Sequence, residues 1–129
     1  MNKEYELIVT IVNKGQSDKV VSASRAGGAK GGTIIFGRGT GKNDYDSLLG
    51  VAIQPEREIV LTLVSTEEKT KIMGLICEYA ELSVSGNGLC FSLPVRSLIG
   101  SNKLLRSTIK PTKPKKQPTK KWLVFKSFF

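Results

Sequence analysis

The amino-acid sequence predicts an α+β domain in which two helices cover one face of a four-stranded antiparallel sheet. Four short runs rich in β-branched residues have the length of strands, and two segments between them have the apolar spacing of helices. Their order along the chain is strand–helix–strand, repeated once. Two such units in succession predict the ferredoxin-like βαββαβ sandwich.

The predicted strands are apolar runs that are too short for helices and are bounded by glycine, proline or polar residues. Pro94 lacks an N–H donor, so the last strand is expected to end there or to lie at an edge of the sheet. The four predicted strands are Glu6–Val12, Thr33–Arg38, Glu58–Val64 and Leu89–Val95.

Helix signals stand at both expected positions. Ser17 is suited to cap a first helix that ends at Ala26, because Gly27 and Gly28 follow it. The sequence Ser65-Thr-Glu-Glu68 has the pattern of a capping box and predicts the start of the second helix. The apolar face of that second helix is predicted to consist of Ile72, Ile76, Tyr79 and Ala80.

Alternation along the strands divides their residues between two faces of the sheet. The more apolar set is predicted to pack under the helices: Leu7, Val9, Ile11, Ile59, Leu61, Leu63, Leu89, Phe91 and Leu93. The opposite set is also too apolar to face water as a whole: Ile8, Thr10, Val12, Val60, Thr62, Val64, Cys90 and Ser92. This second face is therefore predicted to be buried between subunits of a cyclic homo-oligomer. The alternative is that the C-terminal tail folds back over it.

Composition limits the chemistry that the chain can perform. With 129 residues it has the size of one domain, and it contains no histidine, the commonest general base and metal ligand. No enzyme activity and no metal cofactor are therefore predicted. Cys77 and Cys90 lie in apolar surroundings and are interpreted as small core residues of a protein in the reducing cytoplasm. The sequence shows neither a signal peptide nor a transmembrane run.

A glycine-rich stretch is the strongest candidate for ligand binding. Exposed N–H groups beside cations are suited to an anion, most often a phosphate. For the first four glycines the favoured interpretation is that they end a helix and lead into a strand, whereas anion binding is favoured for Gly37–Lys42. The stretch contains Gly27, Gly28, Gly31, Gly32, Gly37, Gly39 and Gly41, with Lys30, Arg38 and Lys42 among them.

The order and spacing of these features resemble the P-II nitrogen-regulatory family and its PII-like relatives, over roughly Glu4–Ile99. The G-x-G-[RK] motif of that family is matched by Gly39-Thr-Gly-Lys42, and Thr33 matches a threonine in the turn before the second strand. Gly86-Asn-Gly-Leu-Cys-Phe-Ser-Leu-Pro-Val95 is similar to the family's loop before the fourth strand. Arg57 matches a basic residue just before the third strand.

The resemblance implies a cytoplasmic homotrimer that binds an adenine nucleotide, ATP, ADP or AMP, in clefts between subunits. It further implies regulation of a protein partner, such as a membrane transporter, in nitrogen or related metabolism. Thr33 would lie near the base, and Arg57 would help to balance charge. The residues implied to line the phosphates are Gly39, Gly41, Lys42, Gly86, Asn87 and Gly88.

Three features differ from the family pattern. Leu89 stands where the family has a lysine, and the arginines that usually follow the fourth strand are missing unless Lys103 or Arg106 replaces them. The polar connection Gly39–Gln54 contains a loop, about Asn43 to Gln54, that is shorter than the corresponding loop of the signalling members of the family. A mono- or diphosphate or another anion is therefore as compatible with the sequence as ATP.

The chain is predicted to divide into a PII-like ferredoxin-fold domain, residues 1–100, and a basic Pro/Lys-rich tail, residues 101–129, that ends in an aromatic segment. The net charge of +9 equals the nine Lys and Arg residues of the tail, which contains no acidic residue.

Three interpretations of the tail remain. It could bind an anionic membrane surface, bind nucleic acid, or add a strand to the sheet of its own or a neighbouring subunit through Trp122–Phe125. The last is favoured, and nucleic acid is the least favoured.

Overall fold

The computed structural model describes residues 3–39, 46–48, 51–53, 55–100 and 125–127, the backbone alone for 46–48, 51–53 and 125–127. In chain order the elements are β1 (Tyr5–Asn13), α1 (Ser17–Ala26), β2 (Thr33–Arg38), β3 (Asp46–Leu48), β4 (Val51–Ile53), β5 (Glu56–Ser65), α2 (Thr66–Tyr79), β6 (Gly88–Val95) and β7 (Phe125–Ser127). The four predicted strands and both predicted helices are present. No helix in the described part of the chain is long and apolar enough to cross a membrane.

The main sheet is antiparallel and has the strand order β6-β1-β5-β2, with β7 added beyond β2. With α1 and α2 on one face, this is the predicted ferredoxin-like α+β fold. Pro94 lies in β6, an edge strand, where a missing N–H donor is tolerated. The short strands β3 and β4 pair with each other inside the predicted polar connection, and this small hairpin was not predicted.

The predicted assignment of the two sheet faces is wrong. The side chains that meet the helices belong to the opposite set, since Ile8, Val12, Val60 and Val64 form one cluster with Val20, Ala23, Ile72, Ile76 and Ala80. Thr10 and Thr62 are fully buried on the same face. Alternation shows which residues share a face, but it does not show which face the helices cover.

The other face of the sheet, which we call the open face, therefore carries the more apolar set. Val9 at its centre is 9% exposed, whereas Leu89, Phe91 and Leu93 of β6 are 53%, 40% and 49% exposed. A row of large apolar side chains at such exposure is typical of a surface that another polypeptide covers.

The starts of the two helices differ from their predicted capping. Gln16 is the N-cap of α1 and Ser17 its first residue, and no side-chain hydrogen bond is made at that cap. Ser65 is the N-cap of α2 as predicted, but its hydroxyl donates to the carboxylate of Glu68 at 2.9 Å instead of accepting from the backbone. Both helices nevertheless begin within one residue of the expected position.

Three residues assigned to the core by sequence are less buried than expected. Tyr79 and Cys77 are exposed, and Cys90 is half-buried at the margin of the core. Both cysteines are free thiols. Burial raises the pKa of the Cys90 thiol, although a 3.5 Å hydrogen bond from Thr10 Oγ1 opposes this effect.

Candidate functional site

A groove with a volume of about 380 Å³ lies at the end of the sheet where β1 and β2 finish and β5 begins. We call it the sheet-end groove. It brings three cationic side chains, two carboxylates and one aromatic ring together. Its lining residues are Lys14, Phe36, Gly37, Arg38, Glu56, Arg57 and Glu58.

Strand register explains how these residues meet. In the β2–β5 pair, Phe36 is opposite Glu58, Gly37 is opposite Arg57, and Arg38 is opposite Glu56. Phe36, in the second half of β2, is 51% exposed. The groove therefore has an apolar ring beside charged groups, a combination suited to a small ligand that is partly flat and partly ionic.

Both carboxylates of the groove already have partners within the chain. Lys14 Nζ lies 2.8 Å from Glu56 Oε2, and their hydrogen bond and charge attraction raise the pKa of Lys14 and lower the pKa of Glu56. The buried carboxylate of Glu58 accepts a hydrogen bond of 2.9 Å from the backbone N–H of Ser17. Glu58 thus occupies the N-terminal end of α1, a position that could otherwise attract an external anion. Arg38 and Arg57 are the other two cationic side chains that line the groove.

The predicted Gly86–Gly88 turn is held against the end of β1. Asn13 Nδ2 donates to the carbonyl of Gly86 at 3.0 Å, and Asn87 Nδ2 donates to the carbonyl of Glu81 at 2.9 Å. Gly88 has a φ of 136°, and a Cβ atom there would overlap the carbonyl oxygen of Ile11. Close packing against β1 is therefore sufficient to explain why residue 88 is glycine.

Two of the N–H groups predicted to line phosphates already have partners within the chain. The N–H of Gly39 donates to the carbonyl of Pro55 at 3.2 Å, and the N–H of Asn87 donates to the carbonyl of Val84 at 3.2 Å. A ligand would therefore contact these segments through other groups, or would have to displace these bonds.

The structure brings only some of the predicted site residues together. Gly39 lies beside Arg57: a Cβ atom built at Gly39 would be 3.8 Å from Arg57 Cγ. The Gly86–Gly88 turn precedes β6, which is three strand spacings from β2, or about 14 Å. Thr33 lies at the opposite end of β2, about 13 Å from Gly37 along the strand. The predicted residues Gly41 and Lys42 lie outside the described residues.

Sequence reasoning missed most of the groove. Arg38 was noted among the glycines but was not assigned to the site. Lys14, Phe36, Glu56 and Glu58 were also not assigned. What these residues share is their position: each lies within three residues of the end of a strand, on the same side of the sheet. That shared position can be used only once the strand register is known.

No protein-family model matches this sequence, and no curated protein matches it. Among solved structures, the chain is similar to Arabidopsis thaliana PII, crystallised with citrate bound. The two chains are 23% identical, with a TM-score of 0.56, over 71% of this chain and 78% of that one. It is also similar to a Bacillus cereus protein related to NIF3, with 12% identity and a TM-score of 0.54, over 75% of this chain. The similar region is 27% of that longer chain. The predicted resemblance is confirmed at the level of the fold: the chain has a PII-like ferredoxin fold.

Proposed function

We propose that this chain is a divergent PII-like regulatory protein of the cytoplasm, which binds a small anionic effector and thereby controls a protein partner. The observation that carries the proposal is the sheet-end groove, in which Arg38 and Arg57 stand beside the exposed ring of Phe36 in a PII-like sheet. The effector is expected to be an adenine nucleotide, ATP, ADP or AMP, whose phosphate would meet the arginines.

Oligomerisation is part of this proposal. The open face exposes large apolar side chains on β6, and a homotrimer would cover them. Within one subunit, Gly39 and the Gly86–Gly88 turn are separated by about 14 Å across the sheet. A ligand that contacts both kinds of segment would therefore be held between neighbouring subunits, with each supplying a different one.

The charge of the groove favours an effector with few negative charges. The Lys14–Glu56 pair is internally neutral, and Glu58 already interacts with the start of α1. With three cationic and two anionic side chains in its lining, the groove has a formal charge of +1, which suits a mono- or diphosphate better than a triphosphate. Gly41 and Lys42, which lie outside the described residues, are proposed to contribute to the same phosphate site.

The regulated partner is proposed to be a protein in nitrogen or related metabolism, such as a membrane transporter. This part rests on the resemblance of the sequence and fold to PII proteins. Regulation without catalysis agrees with a sequence that contains no histidine.

Binding through the basic tail to nucleic acid or a membrane surface is the alternative function. It requires the aromatic end of the tail to be available. Phe125–Ser127 pair with β2, so this part of the tail would first have to leave the sheet edge.

Isothermal titration of the full chain with ATP, ADP and AMP tests the proposal. Arg38→Gln removes a groove cation and is expected to weaken binding about tenfold to a hundredfold, the effect of losing one charge-assisted hydrogen bond. Lys30→Gln removes an exposed cation that does not line the groove, and affinity should be unchanged. Absence of binding, or equal loss in the two variants, would show that the groove is not the effector site.

A further inference from the structure

The two edges of the core sheet differ in how they are protected. At the β6 edge, Pro94 lacks the N–H that a further strand would need. The β2 edge, Thr33–Arg38, contains no proline and has apolar residues at Ile34, Ile35 and Phe36. An edge of this kind is a template for pairing with another strand. Of the two edges, the β2 edge is therefore the better suited to pair with a further strand.

The C-terminal strand β7 occupies this edge. Phe125 is opposite Ile35, Lys126 is opposite Ile34, and Ser127 is opposite Thr33, in antiparallel register. The paired segment is only three residues long. Ordering three residues costs a free energy similar in size to that of the few hydrogen bonds they form, so the pairing is weak and readily exchanged.

The chain that leads to β7 is long compared with the sheet. Gly100 follows β6, at the edge opposite to β2, and the width from β6 to β7 is four strand spacings, or about 19 Å. Residues 101–124, which join the two, can span up to about 80 Å. This length reaches the β2 edge of the same subunit with much chain to spare, and it is sufficient to reach the β2 edge of an adjoining copy.

We propose that the β2 edge is a strand-docking surface, and that its partner is the C-terminal strand of a second copy of this chain, which exchanges with the chain's own β7. The exchange links copies through their tails, independently of the open face. It does not depend on an effector, and it places the two ends of the basic segment on different subunits.

Disulfide trapping between two full-length chains tests the exchange. One chain carries Thr33→Cys and the other carries Ser127→Cys, both in a Cys77→Ser background that removes the exposed thiol. Directly opposed residues of antiparallel strands have Cα separations of about 4.5–5.5 Å, which a disulfide can bridge. The mixture is expected to form a covalent heterodimer on oxidation, seen on a non-reducing gel as a dimer band that neither chain forms alone.

The control places Lys126→Pro in the Ser127→Cys chain, because proline cannot donate to the strand ladder. It should reduce the heterodimer at least about fivefold. Circular dichroism should show an unchanged core for this variant, since β7 lies at the edge of the sheet. A heterodimer that persists with Lys126→Pro would reflect random collision and would overturn the proposal.

A single chain with both Thr33→Cys and Ser127→Cys measures pairing within one subunit. If this chain closes its own disulfide while the mixture gives no heterodimer, β7 does not exchange and the proposal is wrong. If neither arrangement gives a disulfide, the β2 edge does not hold β7 at all, and the proposal is again wrong. Since no ligand is added, these outcomes are independent of the effector titration.

Discussion

The carboxylate of Glu58 accepts a hydrogen bond from the backbone N–H of Ser17, so a residue of β5 holds the first turn of α1. Glu58 is only 7% exposed, and its charge lies at the positive end of the helix dipole. This contact joins the first βαβ unit to the second at the sheet-end groove. It also explains why α1 forms without the predicted side-chain cap.

Replacement of Glu58 is expected to destabilise the domain. Glu58→Ala leaves a buried N–H of α1 without its partner and should lower the free energy of unfolding by about 1–3 kcal/mol. Glu58→Gln keeps an acceptor oxygen and should cost about half as much. Urea denaturation of the two variants measures the difference. Equal stability of Glu58→Ala and the wild type would show that this contact does not support α1.

Thr62→Val is expected to stabilise the protein. Thr62 is fully buried, and its hydroxyl has no hydrogen-bond partner among the described residues, whereas valine has nearly the same shape. Removing the unsatisfied hydroxyl should raise the free energy of unfolding by about 1 kcal/mol. Thr10→Val is the matched control, because the Thr10 hydroxyl donates to Cys90 and its loss should bring no gain. Stabilisation of similar size in both variants would contradict this account.

Gly88→Ala is expected to damage folding more than Gly86→Ala. A Cβ at Gly88 would overlap the backbone of β1, whereas a Cβ at Gly86 would meet no atom within 4 Å, although both residues have positive φ. The expected losses of unfolding free energy are more than about 2 kcal/mol for Gly88→Ala and about 1 kcal/mol for Gly86→Ala. Thermal unfolding compares them. An equal loss of unfolding free energy in the two variants would mean that close packing against β1 is not the reason for glycine at position 88.

The Lys14–Glu56 ion pair predicts a pH dependence with a defined sign. The hydrogen bond from Lys14 lowers the pKa of Glu56 below its ordinary 4.5, and the same bond raises the pKa of Lys14 above its ordinary 10.5. The stabilisation of the folded state by this ion pair is thus fully present between pH 4.5 and pH 10.5. It is lost as pH falls through the lowered pKa of Glu56, and as pH rises through the raised pKa of Lys14.

Because both groups are exposed, the pKa of Glu56 is easier to measure than the small change in stability. NMR titration of the Glu56 carboxyl should show its pKa returning toward 4.5 in Lys14→Gln. Lys19→Gln, which changes an exposed lysine of α1, is the control and should leave that pKa unchanged. A pKa of Glu56 that does not respond to Lys14→Gln would show that the two side chains are not paired in solution.

Most of the fold could be predicted because strands and helices here have clear periodicities. The bounds of β2 and α1 agree with the predicted Thr33–Arg38 and Ser17–Ala26. The hairpin of β3 and β4 was missed because strands of three residues are too short to show alternation. The face that meets the helices was wrong because both alternating sets are apolar, and register alone does not orient a sheet.

The candidate site was less predictable than the fold. Gly39 and Arg57 were identified through the resemblance, and the structure places them side by side. Phe36 and Glu58 come together only through the pairing of β2 with β5, a contact between residues distant in sequence. Neither residue belongs to a sequence motif, so nothing in the local sequence predicted that contact.

Native mass spectrometry with ATP, ADP or AMP tests the central claim most directly, because it counts subunits and bound ligands together. The account predicts a trimer that binds at least one of these nucleotides. It also predicts that Leu93→Glu on the open face strongly lowers the fraction of trimer, whereas Val84→Glu, in the loop before β6 and similarly exposed, leaves that fraction unchanged. A wild-type protein that is monomeric in this experiment, or a trimer that binds none of the three nucleotides, would contradict the account.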